Sequence, residues 1–367
     1  MSFQLTQEQE MIRLMARDFA RKELEPFSGI WDREETFPEE AIRKMGSLGL
    51  MGMMVPADYG GSEAGAVSYS LALQEIAYAC ASTAVTMSVT NLSSDPILKF
   101  GNEAQKCRLL GPLARGELLG AFAVTEPEAG SDPGGMKTRA EDCGDHYRVN
   151  GSKLFITNGS RAELIVLIVR TGPDKSNRAL SALLLTRGTP GFRIGRREAK
   201  MGLRASDTVE LIFDDCSIPK ENLLGREGGG FTIAMVALDS GRIGIASQSL
   251  GIARACLDEM IRHAKTRRQF GKSIGSFQAI QWMIADTAAE IEAAGWLTLY
   301  AADRKDRGLP FTKEASMAKL VSSEMANRAA YRAVQVYGGY GFIKDCKVER
   351  LYRDARVATI YEGTSEI

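Results

Sequence analysis

The sequence predicts a chain of three parts, in which a helical domain is followed by a domain of β-strands and then by a second helical domain. Three observations favour this multidomain fold of α and β segments. Apolar residues recur at helical spacing in the first third, short β-rich runs fill the middle, and helical spacing returns afterwards. Helices and strands are therefore segregated, whereas a doubly wound parallel sheet requires them to alternate. We predict domains at residues 1–118, 119–226 and 227–367.

The N-terminal domain begins with a predicted helix. Thr6 and Gln9 have the spacing of a capping box, in which each side chain bonds the backbone of the other. The apolar residues that follow are predicted to share one face of this helix: Met11, Leu14, Met15 and Phe19. Glycine and proline in VPADYGG, residues 55–61, are predicted to interrupt the helical pattern.

The middle domain is predicted to be a compact sheet or barrel. Its β-rich runs cover residues 163–172, 181–195 and 208–219, and Gly, Pro and Asp separate them. The glycine-rich segment 225–230 precedes the last domain, which we predict to be a helix bundle. Its first helix carries apolar residues every three or four positions: Ile243, Ala246, Leu250, Ala253, Leu257, Met260 and Ala264.

The composition excludes several classes of partner. The 367 residues include 46 basic and 46 acidic side chains, so no global field draws the chain to nucleic acid or to an acidic membrane. Six cysteines without a CxxC pair and only two histidines argue against a metal site and favour a reducing compartment. Because no export signal and no long apolar stretch is visible, we expect a cytoplasmic protein without membrane insertion.

Common nucleotide-binding motifs are absent, yet four stretches are rich in groups suited to a planar, phosphate-bearing ligand. The tripeptide GKS at 271–273 lacks the first glycine of a P-loop, and no GxGxxG follows a strand. The four stretches are residues 122–132, 153–159, 267–278 and 335–339, which supply hydroxyls, an aromatic ring, a guanidinium and flexible glycines. Taken singly, each is better explained as a turn, a core residue or a solvated charge than as a ligand contact.

The C-terminal stretch IYEGTSEI, residues 360–367, places one carboxylate, that of Glu362, among apolar neighbours. On local evidence alone it is interpreted as an ordinary surface carboxylate. The two histidines, His146 and His263, lie in polar stretches and are interpreted as surface residues rather than general bases. No Ser-His-Asp or Cys-His combination emerges.

In combination, these motifs resemble the acyl-CoA dehydrogenase family, and over the entire chain they are most similar to its short-chain, butyryl-CoA branch. The resemblance rests on ACASTAVTMSV, FAVTEPEAGSD, NGSKLFITNG, MGLRASDTVELIFDDCSIPKENLLG, LDSGRIGIASQSLGIA, QVYGGYGF and YRDARVATIYEGTSEI, which occur in family order. It implies an N-terminal helical domain, a β-barrel-like middle domain and a C-terminal four-helix bundle. It also implies a homotetramer with one FAD per subunit.

The resemblance further implies roles for individual residues, with Glu362 of the YEG motif as the base that removes the α-proton of an acyl-CoA while flavin N5 accepts the hydride. The isoalloxazine ring would contact Phe122, Val124, Thr125, Gly130, Ser131, Phe155, Ile156 and Thr157. The FAD of a neighbouring subunit would contact Arg267, Phe270, Gln278, Gln335, Val336, Gly338 and Gly339, and Thr364 and Glu366 would close over the cofactor. The CoA thioester would contact Ser131, Asp239, Ser240, Gly241, Arg242 and Gly363.

Three features depart from the family pattern. Phe155 stands where the family often has tryptophan, which keeps an aromatic wall but removes an indole donor. Residues 88–100 are slightly shorter than the short-chain pattern, and the family usually continues beyond the position of Ile367, so we expect a C-terminal tail to be missing. The presumed acyl-pocket floor carries polar residues and no Arg or Lys between Thr90 and Leu98, which favours a short acyl chain over a long or dicarboxylic one.

Several functions remain open from the sequence. The leading hypothesis is a dehydrogenase that passes electrons to an electron transfer flavoprotein. The alternatives are a dehydrogenase for branched, cyclic or dicarboxylic acyl-CoA, an acyl-CoA oxidase, and a non-catalytic or nucleic-acid-binding homologue. A bacterial cytoplasmic location is expected, and a mitochondrial matrix location would require a transit peptide that has been removed.

Overall fold

The computed structural model describes residues 4–173 and 176–367, and its first part is helical. The predicted capping box is confirmed, because the Gln9 N–H donates to Thr6 Oγ1 at 3.1 Å and the Thr6 N–H donates to Gln9 Oε1 at 3.0 Å. The helices of this part are α1 (Gln7–Phe19), α2 (Glu25–Glu34), α3 (Glu39–Ser47), α4 (Gly65–Ala79), α5 (Ala81–Phe100) and α6 (Glu103–Ala114).

The predicted apolar face of α1 is wrong in part. Met11 and Leu14 are exposed, whereas Phe19 is buried and Met15 packs partly against the core. The buried face runs instead through Ile12, Met15, Ala16 and Phe19. This set has the same helical spacing as the predicted one, so periodicity alone does not choose between them.

In the described residues of the middle part, the strands form one sheet of eight. They are β1 (Gly120–Ala123), β2 (Arg139–Asp142), β3 (His146–Thr157), β4 (Leu164–Arg170), β5 (Leu180–Thr186), β6 (Phe192–Arg197), β7 (Thr208–Pro219) and β8 (Leu223–Leu224). Their order is β6-β7-β3-β2-β4-β5-β8, and β1 pairs in parallel with β4. All seven residues of β4 are buried because helices or strands cover both of its faces.

The last part is again helical, so the predicted series of helix, sheet and helix is confirmed. Between its first two helices lies a small hairpin of β9 (Arg268–Gln269) and β10 (Lys272–Ser273). The helices are α7 (Gly230–Thr266), α8 (Gln278–Asp306), α9 (Thr312–Tyr337) and α10 (Lys347–Arg356). The predicted apolar positions of α7 are buried, apart from Leu257, which is partly exposed.

Small residues bring α8 and α9 together. The buried positions of α8 are Thr287, Ala294, Thr298, Ala301 and Ala302. Some of the larger apolar side chains of the two helices lie on the outside: Trp282, Trp296, Met317, Leu320, Val321 and Tyr331. The helix pair thus exposes six large apolar side chains, which we call its exposed apolar face.

The domain boundaries predicted at 118/119 and 226/227 fall in the connection between α6 and β1 and in the connection between β8 and α7. Helices of the outer parts also pack on each other across the sequence, since α4 and α5 lie against α7. Among the residues that the structure describes, no helix is long and apolar enough to cross a membrane.

Candidate active site

Glu362 lies in a strained turn that follows α10. Its φ of 53° is in the left-handed region, and Gly363 follows with a φ of 94°. A non-glycine residue in this region costs about 1–3 kcal/mol and persists only where the surroundings hold it. Here the Tyr361 hydroxyl donates to Gln248 Oε1 at 2.8 Å, and the Ser365 N–H donates to the Thr359 carbonyl at 3.0 Å. The turn is thus fastened on both sides of the carboxylate.

The Glu362 carboxylate packs over Gly241 of α7, where there is no side chain. A Cβ built on Gly241 would lie 2.5 Å from Glu362 Oε2 and 3.4 Å from Leu92 Cδ1 of α5. Glu362 Oε2 is buried and has no hydrogen-bond partner among the described residues. Burial raises the pKa of Glu362 to about 7, against the opposing charges of Arg242 and Lys319. An unpaired carboxylate with a pKa near neutrality is suited to proton abstraction.

Most of the residues predicted to contact the thioester lie beside this carboxylate. Arg242 donates to Asp239 Oδ1 at 3.0 Å and to Ser316 Oγ at 3.1 Å. A Cβ on Gly363 would lie 3.6 Å from a terminal nitrogen of Arg242, so the turn passes directly over this guanidinium. The structure therefore brings Asp239, Gly241, Arg242 and Gly363 together around the Glu362 turn.

Ser240, the neighbour of Gly241, takes part in a buried ionic network instead. Its hydroxyl donates to Asp95 Oδ2 at 2.6 Å and accepts from Lys305 Nζ at 2.8 Å. Lys99 Nζ lies 3.0 Å from Asp95 Oδ2. Lys305 belongs to α8, so the sequence of residues 90–98 gives no indication of this cation. Lys99 and Lys305 both interact with Asp95, so neither is available to bind the terminal carboxylate of a dicarboxylic acyl chain.

Three further polar residues of the presumed pocket floor have structural partners, whereas the buried Thr90 Oγ1 has none among the described residues. Asn91 accepts from the Met53 N–H at 3.1 Å, and Ser93 and Ser94 bond carbonyls of their own helix. Nearer to Glu362, the room for an acyl chain is limited at Gly244, one turn beyond Gly241 on α7. There a Cβ on Gly244 would lie 2.6 Å from Ser88 Oγ and 2.8 Å from the Tyr69 hydroxyl.

The two segments predicted to face the flavin ring are hydrogen-bonded to each other. The Leu154 N–H donates to the Thr125 carbonyl at 2.8 Å, and the buried Lys153 donates to the Val124 carbonyl at 2.9 Å. A bulge in β3 gives Phe155 a φ of 61°, and the residue is 58% exposed. An aromatic ring held outwards in this way offers a face to a planar ligand.

Individual residues of the two segments differ in what they can offer. Thr157 is half-buried, whereas the Ile156 side chain is buried in the sheet core and can reach a ligand only through its backbone. Phe122 and Val124 are partly exposed at the edge of a core cluster. Gly130 and Ser131 are exposed in the loop that follows β1.

A third group of predicted residues lines a separate cleft of about 460 Å³ on the C-terminal helices. Arg267 lies 5.5 Å over the Tyr340 ring, and a Cβ added to Gly338 or Gly339 would meet no atom within 4 Å. Val336 also lines the cleft, but its side chain is largely buried. None of the β3 residues predicted to face the flavin lines this cleft.

The remaining predicted residues surround these groups. Phe270 is 89% exposed at the tip of the β9–β10 hairpin, and Gln278 and Gln335 are exposed on α8 and α9. Thr364 is half-buried and Glu366 is exposed, directly after the Glu362 turn.

The sequence interpretation missed two side chains at these sites. His263, interpreted as a surface residue, is half-buried and stacks on Tyr337 with ring centroids 4.0 Å apart in the lining of the cleft. His146 is near the surface, where its ring lies 2.6 Å from Asp145. Lys319 of α9 lies outside every predicted motif, although it falls on the buried alanine-rich face of that helix.

Comparison with known proteins assigns the chain to a family. Residues 6–117, 121–216 and 228–367 match the sequence models of the N-terminal, middle and C-terminal domains of acyl-CoA dehydrogenase. An acyl-CoA dehydrogenase of Bacillus subtilis is 51% identical over 99% of this chain and 96% of its own length. A short-chain specific acyl-CoA dehydrogenase of Clostridium acetobutylicum is 46% identical over 100% of this chain and 97% of its own.

Solved structures agree with this assignment. Butyryl-CoA dehydrogenase from Megasphaera elsdenii superposes with a TM-score of 0.98 at 44% identity, covering 100% of this chain and 97% of that one. A chain from structural work on an electron transferring flavoprotein of Acidaminococcus fermentans gives a TM-score of 0.98 at 45% identity, with the same coverage. An acyl-CoA dehydrogenase complexed with FAD from Bacillus anthracis gives 0.94 at 33%, covering 99% and 65%.

The fold and these relatives together define an enzyme of the oxidoreductase class, built as helix, sheet and helix. The chain belongs to the acyl-CoA dehydrogenase family.

Proposed function

We propose that this protein catalyses the FAD-dependent α,β-dehydrogenation of a short-chain acyl-CoA to the trans-2-enoyl-CoA, with Glu362 as the base for the α-proton. The observation that carries this proposal is the buried, unpartnered Glu362 Oε2 over Gly241. FAD supplies the hydride acceptor at its N5 atom. With a pKa of about 7, Glu362 is ionised in a substantial fraction of molecules at neutral pH and is more basic than a carboxylate in water.

The backbone of the turn is suited to polarise the thioester. The backbone–backbone hydrogen bonds of residues 360–367 are donated by the N–H groups of Ile360, Tyr361, Ser365 and Ile367. The N–H of Glu362 makes none of these bonds and remains available to the thioester oxygen. Such a donor stabilises the negative charge that develops on this oxygen when the α-proton leaves.

The residues present fit an FAD. We propose that the exposed Phe155 ring lies against the isoalloxazine, with Thr125 and Thr157 as hydrogen-bonding neighbours. Arg267 and the open backbone of Gly338 and Gly339 suit the phosphates of an FAD held by a neighbouring subunit.

We further propose a homotetramer in the bacterial cytoplasm with an electron transfer flavoprotein as its electron acceptor. The exposed apolar face of α8 and α9 supports the assembly, because such a face is normally covered by a partner. The similarity to the chain from the Acidaminococcus fermentans work supports the acceptor. The three predicted domain ranges are likewise proposed as folding units, with boundaries in the connections that follow α6 and β8.

A short acyl chain is favoured by the surroundings of Glu362. On one side, the ionic network of Asp95, Ser240 and Lys305 is unsuited to an apolar tail. On the other side, the hydroxyls of Tyr69 and Ser88, 3.0 Å apart, close the space at Gly244. A tail that extends further must displace one of these two groups.

The test is anaerobic reduction of the purified yellow protein by butyryl-, isobutyryl-, isovaleryl-, cyclohexanoyl-, glutaryl- and octanoyl-CoA. Four further methylenes that find no apolar site forfeit roughly 3 kcal/mol, or about two orders of magnitude in rate. We therefore expect kcat/KM for butyryl-CoA to exceed that for octanoyl-CoA at least tenfold, with glutaryl-CoA poor. A preference for octanoyl- or glutaryl-CoA would refute the short-chain assignment, and no bleaching by any acyl-CoA would refute dehydrogenation itself.

A further inference from the structure

Lys319 is a buried lysine that the roles assigned above do not explain. It lies on α9 with 3% of its surface exposed, and its ammonium donates a hydrogen bond to the carbonyl oxygen of Gly363. Within residues 4–173 and 176–367, no carboxylate pairs with it at salt-bridge distance. Burying an ammonium group without a paired carboxylate is costly, so its position calls for a compensating role.

The bonded carbonyl belongs to the most strained part of the candidate active site. Glu362 and Gly363 are consecutive residues with positive φ, and Gly363 passes over Arg242. The Tyr361 bond to Gln248 anchors the turn before the carboxylate, and the Ser365 hydroxyl donates to Glu324 at 2.6 Å after it. Lys319 anchors the peptide unit directly next to Glu362, where a rotation would move the carboxylate most.

We propose that Lys319 is the positioning residue of the base, because its bond to the Gly363 carbonyl fixes the left-handed turn that aims the Glu362 carboxylate over Gly241. The inference rests on the proposed function of Glu362 and assigns the structural element that this function requires. Lys319 itself does not touch the reacting atoms in this arrangement.

The charge of Lys319 has a second consequence for the same carboxylate. Glu362 is faced by Lys319 from α9, by Arg242 from α7, by the Tyr69 hydroxyl from α4 and by the adjacent Tyr361. Burial raises the pKa of both tyrosines, so they remain neutral near pH 7. Arg242 and Lys319 are therefore the cations that oppose the effect of burial on Glu362.

These two cations are compensated differently. Arg242 is paired with Asp239 at 3.0 Å. Lys319 has Glu362 as the main favourable charge against the burial that lowers its own pKa to about 8, with Glu324 and Glu366 contributing less. Removing Lys319 should therefore release the turn and also raise the pKa of Glu362.

The experiment compares Lys319→Met, Lys319→Gln and Lys319→Arg with the wild-type holoenzyme. Lys313→Met is the matched control, because it removes the same charge from an exposed position of the same helix. The first readout is the limiting rate of anaerobic flavin reduction by butyryl-CoA as a function of pH. The second readout, which needs no substrate, is amide hydrogen exchange of residues 357–367.

We expect Lys319→Met to lose about tenfold to a hundredfold in limiting rate through misplacement of the carboxylate. Its midpoint in the pH profile should rise by about one unit, the shift expected when a nearby opposite charge is removed. Exchange at 357–367 should be faster. Lys319→Arg should restore the midpoint, and Lys319→Gln should keep a hydrogen-bond donor while losing the charge, so its midpoint rises with a smaller loss of rate.

Rate, midpoint and exchange in Lys319→Met equal to those of Lys313→Met would overturn the inference. If Lys319→Met does not yield folded protein, Lys319→Gln decides, and an unchanged midpoint in that variant would overturn the electrostatic part. A wild-type protein that no acyl-CoA reduces would refute the proposed function, while faster exchange at 357–367 in Lys319→Met would still establish the anchoring of the turn.

Discussion

Replacing Gly241 by alanine is expected to displace the Glu362 carboxylate. The added Cβ would lie 2.5 Å from Oε2 and 3.0 Å from Cδ of Glu362. Comfortable contact between such atoms is about 3.5 Å, so the carboxylate must retreat by about 1 Å or the turn must shift with it. The Leu92 Cδ1 atom, 3.4 Å from the same Cβ, limits movement on the other side.

A retreat of about 1 Å from the productive geometry costs about a hundredfold in rate, which corresponds to about 2.7 kcal/mol in the activation barrier. We therefore expect Gly241→Ala to bleach its flavin about a hundredfold more slowly than wild type with saturating butyryl-CoA. The assay is stopped-flow absorbance under anaerobic conditions, with FAD content measured on the same preparation. FAD content should be unchanged, because the substitution is at the carboxylate and not in the cofactor segments.

Gly295→Ala is the matched control. Gly295 also lies within a helix, α8, but a Cβ there would meet no atom within 4 Å of the described chain. This variant should keep its rate and gain about 0.5–1 kcal/mol of stability, since alanine is the better helix former. If Gly241→Ala reduces flavin as fast as Gly295→Ala, the carboxylate does not act from its position over Gly241.

Three further outcomes are expected. Glu362→Gln should retain FAD and bind acyl-CoA but lose orders of magnitude in the rate of flavin reduction, and Glu362→Asp should be intermediate. Flavin reduction at a near wild-type rate by the glutamine variant would exclude Glu362 as the base. In wild type the limiting rate should rise with pH through a midpoint near 7, because burial raises the pKa of Glu362 and only the ionised form accepts a proton; a flat profile from pH 6 to 8 would contradict this. Arg267→Ala should purify with less FAD and a weaker tetramer, since one charge-assisted pair contributes about 1.5–3 kcal/mol. Full FAD occupancy in a monomer produced by dilution would contradict a cofactor site shared between subunits.

The order of helices and strands was predictable because each pattern is long and regular. The apolar positions of α7 continue for several turns, so few alternative faces exist. The short α1 was less determined, and Met11 and Leu14 were assigned to the wrong face. Its sequence offers two sets of apolar residues with the same spacing, and only the position of the neighbouring helices chooses between them.

The environment of Glu362 was beyond prediction from local sequence. Its partner surface is Gly241 on α7, and its charge is balanced from α9 by Lys319. Both lie far from Glu362 along the chain and meet it only in the folded protein. Lys319 looks like a surface residue by type, although the alanines and serines around it mark the buried face of α9. The position of Lys319 among these small residues is the sequence feature that indicates its burial.

The close packing of α8 against α9 has a consequence for the newly synthesised subunit. Because alanine, serine and threonine fill much of the contact between the two helices, two tryptophans and several larger aliphatic side chains remain on the outside. If the protein assembles as proposed, a newly synthesised monomer exposes these apolar side chains until it associates with other subunits. Chaperone demand and loss to inclusion bodies should therefore depend on expression rate, and slow synthesis at low temperature should improve the yield of yellow protein.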